Sequence, residues 1–351
     1  MKIEVLRGAE RVRRRPAVLF GSDDIEGVKR MLTDLLDIFL QEHQRGYGDR
    51  LTLSKFTDGA LEIQYNGRGL YLDGTWQELF CALFADSVSG AAKRSAFDTP
   101  ERGELDFLES LSLCAAQCAS EYMEVRVIRD GYCRKLQFKQ GEPTGQPEVT
   151  ACTDPSGTTI RFKPDPLVFT ETELPLETLE HALYIAALSS PGLQTCLLPE
   201  NKVYFYPEGI SGVLKQPVYS RSMEAKGQER YNRPLYQAKI RVALCFAQQG
   251  FVTCIHGKKE LPWGGTHLDA ILEKLHKYIN WDLPGRISKK KLAEHLQLVI
   301  HTESDVTCWV TAGKMAIENK LLRDMAEDTI DEQFRTFLKE NKEAIQKALK
   351  D

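Results

Sequence analysis

Two carboxylates, Asp34 and Asp37, stand three residues apart in the run Leu32-Thr33-Asp34-Leu35-Leu36-Asp37-Ile38. At that spacing they share one helix face, where an acid can take a proton from a water molecule. The same pair also reads as the wetted side of an amphipathic helix, and spacing alone favours that reading. Downstream, Asn66-Gly67-Arg68-Gly69 brackets a cation with two glycines, Ser156-Gly157-Thr158-Thr159-Ile160-Arg161-Phe162 is a hydroxyl-rich stretch, and Gly264-Gly265-Thr266-His267-Leu268 joins glycines to a helix-like pattern. Glycine pairs mark turns generally, so none of these is specific by itself. Cys114 and Cys118 are four apart. No second pair with ligand spacing accompanies them, so they read as buried small hydrophobes and no metal site is predicted. The chain has neither a Gly-x-x-x-x-Gly-Lys-Ser/Thr loop nor a Gly-x-Gly-x-x-Gly after a strand, which excludes two common nucleotide folds.

The elements that must position these residues follow from periodicity. Ile25, Val28, Leu32, Leu35 and Phe39 repeat at helical spacing, and Asp23 with Glu26 resembles a capping box. A hairpin is expected over Leu51–Phe56 and Leu61–Tyr65 about Thr57-Asp58-Gly59. Helical pattern returns over 76–84, and 87–103 reads as a loop or lid. A helix over 107–120 precedes a second hairpin, 122–129 with 133–138 about Asp130-Gly131. A strand at 158–162 and a helix over 174–188 complete a first domain, residues 1–198. In the second, 199–351, Tyr236, Ala238, Ile240, Val242, Leu244 and Phe246 alternate onto one face. Residues 251–255 are expected to pair with that strand. A helix over 268–279, strands over 296–300 and 306–310, and closing helices from Met315 onward suggest a βαβ-containing unit.

Bulk composition bounds the function classes. Net charge is 46 − 50 = −4, so no global polycation drives nucleic-acid binding. Basic charge is local: six Lys/Arg against two Glu in Met1–Phe20, and four basic residues in the six from Arg286 to Lys291. Each run is a DNA-facing patch or a solvated face. Nine cysteines without a secretory signal indicate a reducing, cytoplasmic setting. No apolar run reaches membrane-spanning length.

In order and spacing these blocks resemble the ATPase and transducer domains of bacterial type II topoisomerase B subunits, of the gyrase and topoisomerase IV kind. The blocks are Arg13-Arg14-Arg15-Pro16, Gly21 to Gly27, the helix with Asp34 and Asp37, Asn66 to Gly69, Thr158 with its neighbours, and Gly264 to Leu268. The resemblance runs from about Leu6 to Lys350. It implies an α+β chain: a GHKL (Bergerat) α/β sandwich followed by a ribosomal protein S5 domain 2-like βαβ transducer. It implies ATP and Mg²⁺ as cofactors and a dimer with DNA as substrate. Asp34 then stands where the family has a glutamate general base, one methylene shorter. Asp37 is retained, and Ile38 replaces an asparagine that holds Mg²⁺; a hydrocarbon cannot ligate a hard cation. Tyr65 stands where an aspartate reads adenine, with Asn66 one residue out of register. Gly67, Arg68, Gly69, Arg129 and Thr158 match nucleotide-binding positions. Lys314 aligns with a transducer lysine that contacts the γ-phosphate, although Ala312 and Gly313 replace its Gln and Thr. In the lid, Phe107 and Glu109 fall on glycine positions, and Asp106 with Glu109 adds negative charge where phosphate would sit.

These departures predict a pseudo-ATPase in which ATP and Mg²⁺ binding is lost. It would act by association, as a homodimer or with a gyrase or topoisomerase subunit, through the basic arm Arg7–Pro16, with DNA a further possible contact and no membrane. The alternative is a working ATP-driven clamp of a split topoisomerase, with Asp34 as base and Lys314 on the γ-phosphate. A third reading is a nucleotide-free DNA-binding module. No counterpart of the family's Toprim or catalytic-tyrosine domain is read in the sequence, so the chain alone is not expected to be a complete topoisomerase.

Overall fold

The structure is a computed structural model that describes residues 8–74, 76–81, 93–102, 104–105, 107–227, 235–310 and 315–350. It divides into two compact units, Met1–Phe205 and Tyr206–Asp351. The division falls beyond the expected 198/199 boundary because one more strand, Lys202–Phe205, pairs antiparallel with Gln194–Leu198 and so belongs to the first sheet.

The first unit begins with short helices Glu10–Arg13 and Pro16–Phe20, then the long helix α1 (Ile25–Gln44). Asp24, not Asp23, caps α1: its carboxylate accepts from the Glu26 amide at 2.9 Å. A nine-stranded sheet comprises β1 (Arg50–Lys55), β2 (Leu61–Tyr65), β3 (Ser120–Arg129), β4 (Tyr132–Lys139), β5 (Glu142–Pro143), β6 (Glu148–Ala151), β7 (Gly157–Pro164), β8 (Gln194–Leu198) and β9 (Lys202–Phe205). Its order is β9-β8-β1-β2-β7-β3-β4-β5, with β6 also against β4. Within this sheet, among the described residues, only β1 and β8 run parallel. Helices α2 (Phe107–Cys118) and α3 (Leu176–Ser189) join α1 over the core. The apolar stripe of α1 is fully buried at Val28, Met31, Leu32, Leu35 and Phe39, so burial of that stripe fixes the helix on the sheet. Cys114 and Cys118 are buried on α2.

The described part of the basic arm packs on its own unit. Val12 is fully buried, and Arg13 donates to the Asp165 carboxylate at 2.6 Å and to the Cys118 carbonyl at 3.1 Å. Residues Gly8 to Pro16 thus fold onto their own unit; Arg7 lies outside the described residues.

The second unit has a five-stranded sheet of β10 (Tyr219–Gly227), β11 (Tyr236–Phe246), β12 (Phe251–His256), β13 (Lys259–Glu260) and β14 (Leu296–Ser304), in the order β10-β11-β14-β12-β13. The alternating face of β11 enters the core. Residues 251–256 pair parallel with β14 rather than with β11, because helix α4 (Thr266–Asp282) carries the chain back between them. The stretch expected as a strand at 306–310 forms only an isolated bridge, Trp309 to Ile317. Helix α5 (Lys289–His295), capped by Ser288, carries Lys289, Lys290 and Lys291 of the second basic run, with Arg286 just before it. Helices α6 (Lys320–Thr329), α7 (Glu332–Glu340) and α8 (Lys342–Lys350) close the chain. Among the described residues no helix is long and apolar enough to cross a membrane.

Candidate functional site

The two carboxylates of α1 are engaged along their own helix. Arg30 donates to Asp34 at 2.7 Å, and Gln41 donates to Asp37 at 3.1 Å. Both pairs are the i,i+4 kind that a helix face supports. Ile38, next to Asp37 in sequence, is 2% exposed inside the core. It presents only hydrocarbon, so a hard cation gains no ligand from it.

At the end of β2, Tyr65 is 1% exposed and lies 5.3 Å, ring to ring, from Phe39. Its hydroxyl donates to the Tyr47 carbonyl. Burial, reinforced by the nearby charges of Glu42 and Asp49, raises the phenol above its ordinary range, so the group stays protonated. The ring explains two glycines. A Cβ on Gly67 would lie 2.4 Å from Tyr65 Cε1, and one on Gly48 would lie 2.5 Å from its Cζ. Asn66 clasps the base of the hairpin: its Oδ1 accepts from the Asp49 and Arg50 amides at 3.0 and 2.8 Å, and its Nδ2 donates to Asp49 at 2.7 Å.

Arg68 is the centre of a partly buried ion network. Its Nε and Nη2 form a fork onto Glu42, at 2.7 and 2.9 Å, and Nη1 reaches Asp98 at 2.9 Å. The guanidinium also lies 3.9 Å from the Tyr47 ring centroid. Glu42 has no exposed side-chain area, and such a carboxylate is tolerable only when paired. Burial pushes the Asp98 carboxyl upward, but Arg68 and the Ser95 amide outweigh it, and the net shift is downward. Gly69 takes φ +82°, and a Cβ there would meet the Ile128 carbonyl at 2.7 Å. Its own carbonyl accepts from Arg129 at 3.0 Å; the same Arg129 nitrogen donates to the Phe97 carbonyl at 2.7 Å. Thr158, opposite Tyr65 in register, accepts from the Leu70 amide at 3.1 Å.

The segment Arg94–Asp98 is packed into this same region. Ala96 and Phe97 are fully buried, and Phe97 meets Phe39 edge-on at 6.2 Å. The lid carboxylate Glu109, expected to face a phosphate position, instead takes donors from Arg45, Ser95 and the Ala96 amide. Asp106 lies outside the described residues.

The structure therefore gathers Asn66, Gly67, Arg68, Gly69, Arg129 and Thr158 around the ends of β2, β3 and β7, and leaves Asp34 and Asp37 paired along α1. Lys314 lies outside the described residues. Its flank is placed: Met315 accepts from the Trp263 amide, and Ile317 bridges Gly265. Gly265, at φ +144°, admits that bridge because a Cβ would meet the Ile317 carbonyl at 2.0 Å. Gly264 and Gly265 thus shape the start of α4. Sequence reasoning missed Glu42, Arg45, Asp98 and Phe97. A signal existed for Glu42: it continues the Leu35–Phe39 stripe, and a charge on an apolar stripe needs a buried partner.

No protein-family model matches the chain. It is 35% identical to the DNA gyrase B subunit of Thermotoga maritima over 293 residues, 79% of this chain and 46% of that one. It is 25% identical to the Haloferax lucentense gyrase B subunit over 360 residues, 97% of this chain and 56% of that one. Against the topoisomerase IV B subunit of Bacillus subtilis, identity is 28% over 219 residues, 59% of this chain and 32% of that one. The chain spans about half or less of the length of these relatives. In fold it is similar to the 43K ATPase domain of Thermus thermophilus gyrase B, solved with an aminocoumarin, at a TM-score of 0.68 with 19% identity, covering 97% and 93% of the two chains. It is similar also to the Myxococcus xanthus gyrase B-subunit structure, at a TM-score of 0.71 with 16% identity, covering 97% and 99%. The chain is thus a relative of gyrase and topoisomerase IV B subunits by sequence, and it shares the α+β fold of the gyrase B ATPase domain.

Proposed function

We propose that this chain is a nucleotide-independent module of the gyrase B kind, a pseudo-ATPase that acts by association with a second copy of itself or with a gyrase or topoisomerase IV subunit. The observation that carries the reading is Tyr65. A buried, protonated phenol occupies the position where the resemblance calls for an adenine-reading carboxylate, and it is fixed by Phe39, Gly48, Gly67 and the Tyr47 carbonyl. Ile38 supports it by giving Mg²⁺ no ligand. Arg68 and Arg129 add to it, because both guanidiniums already have partners within the unit. The inherited fold then remains as a scaffold, while chemistry depends on site residues that have changed.

Thermal denaturation with ATP or a non-hydrolysable analogue, with and without Mg²⁺, tests this. A ligand at about 100 times its Kd stabilises the native state by about 2.7 kcal/mol, a plain rise in midpoint. The expected result is no shift at millimolar nucleotide. A Mg²⁺-dependent rise overturns the reading in favour of a working clamp.

A further inference from the structure

Glu109 sits in the first turn of α2, where helix amides favour a negative charge. Its side chain is 1% exposed. Three donors from outside the helix converge on it. Arg45, the C-cap residue of α1, donates Nη2 to Oε1 at 3.1 Å. The Ser95 hydroxyl and the Ala96 amide donate to Oε2 at 3.0 and 2.7 Å. Arg45 also donates to the Ser95 hydroxyl at 2.6 Å. A guanidinium, a hydroxyl, a main-chain amide and a helix start are together the donor set that binds a free oxyanion. Here the chain's own side chain fills it.

We propose that Glu109 is a built-in anion that holds the segment Arg94–Asp98 and the start of α2 closed against the end of α1 with no bound oxyanion. Each end of the contact is tied elsewhere. Asp98 is held by Arg68, the Ala96 carbonyl accepts from the Tyr71 amide at 2.9 Å, and the Phe97 carbonyl accepts from Arg129. Releasing Glu109 would remove the tie at Ser95 and Ala96 from a segment whose neighbouring residues contact Arg68 and Arg129. Burial raises the Glu109 carboxyl, while the Ala96 amide, Arg45 and Ser95 oppose that rise. This inference deepens the nucleotide-independent reading and rests on it.

The test compares the wild-type chain with Glu109→Ala, using inorganic phosphate and pyrophosphate as probes and sodium chloride at matched ionic strength as control. Readouts are the thermal midpoint and hydrogen exchange at Ser95–Asp98. Wild type is expected to respond to pyrophosphate no more than to chloride. The alanine variant is expected to exchange about tenfold faster at Ala96, a local opening, and to regain protection and midpoint with phosphate or pyrophosphate only. Adding Arg45→Met should abolish that rescue. Should the alanine variant not fold, Glu109→Gln keeps an acceptor for Ala96 without the charge and is expected to show the faster exchange and partial rescue. Equal anion response in wild type and variant, or no response beyond salt in either variant, overturns the proposal. Failure of the nucleotide-independent reading shows up separately, as a Mg²⁺–ATP response in wild type.

Discussion

Lowering the pH should begin to destabilise the second unit before its carboxylates titrate, because it buries three neutral histidines. His256 and His267 are pushed down to about 4, both by burial, with His256 adding to His267; His301 is pushed down to about 3 by burial, then by Lys258 and Arg241. The tautomers are legible. His301 accepts from Arg241 at Nδ1 and donates from Nε2 to the Gly257 carbonyl. Thr302 gives its proton to the Ile255 carbonyl, so His256 Nδ1 donates to Thr302, and Nε2 accepts from Thr307. His267 is fully buried, and neither ring nitrogen has a hydrogen-bond partner among the described residues. The carboxylate of Glu303, 3.6 Å from His301 Nε2, does not offset its burial. With folded values below the unfolded value of 6.5, the unfolded chain takes up protons first. Stability is then full above about pH 6.5 and is lost as pH falls toward the folded values. At roughly 1.4 kcal/mol for each tenfold change in proton affinity, His256 and His267 each contribute about 3 kcal/mol and His301 about 5. The sum is on the order of 10 kcal/mol, comparable to a whole domain's stability. Urea denaturation of the full chain from about pH 7.5 to 4.5, read by fluorescence of Trp263, Trp281 and Trp309, should show a slope near three protons, about 4 kcal/mol per pH unit. His267→Leu removes a polar ring with unsatisfied nitrogens, so it should change stability at about pH 7 by no more than about 1 kcal/mol and remove about a third of the slope. Uptake of fewer than one proton between about pH 6.5 and 4.5 would refute the reasoning.

Two further perturbations test the framework. Arg68→Met leaves Glu42 buried without its fork and should destabilise the first unit by about 3–5 kcal/mol, while Glu42→Gln with Arg68→Met should restore most of it; equal midpoints for the single and double variants, in thermal denaturation, would contradict the network. Gly265→Ala places a Cβ 2.0 Å from the Ile317 carbonyl at φ +144°, so it should destabilise the second unit by about 2 kcal/mol or more and speed hydrogen exchange at Trp263 and Thr266; unchanged exchange would show that the bridge to Ile317 carries little.

Periodicity along the chain was enough to specify the long amphipathic helices and the central strands with their faces, but not the short strands 142–143, 148–151 and 202–205, and the strand expected at 306–310 forms only an isolated bridge. The Ile25–Phe39 stripe and the Tyr236–Phe246 alternation each match one period, and burying an apolar stripe leaves one orientation per element. Short blocks whose glycines must admit a tight approach carried the family resemblance too. On that resemblance, Ile38 and Tyr65 stand where a metal ligand and an adenine reader would be expected. What those residues do instead was settled by packing in three dimensions. Whether Tyr65 projects into open space or fills the core depends on Phe39 and Gly48, which are remote in sequence, and whether Glu109 repels or closes depends on Arg45 and Ser95. Strand neighbours were equally out of reach: 251–256 chose β14 over β11 because a helical crossover permits parallel pairing that periodicity cannot distinguish from a hairpin. The arm's basic charge is legible from its residue types, while packing set Val12 into a core and Arg13 against the buried carboxylate of Asp165. Charge and apolarity are written in each residue, but the partner that satisfies them is selected by packing between segments far apart in the chain.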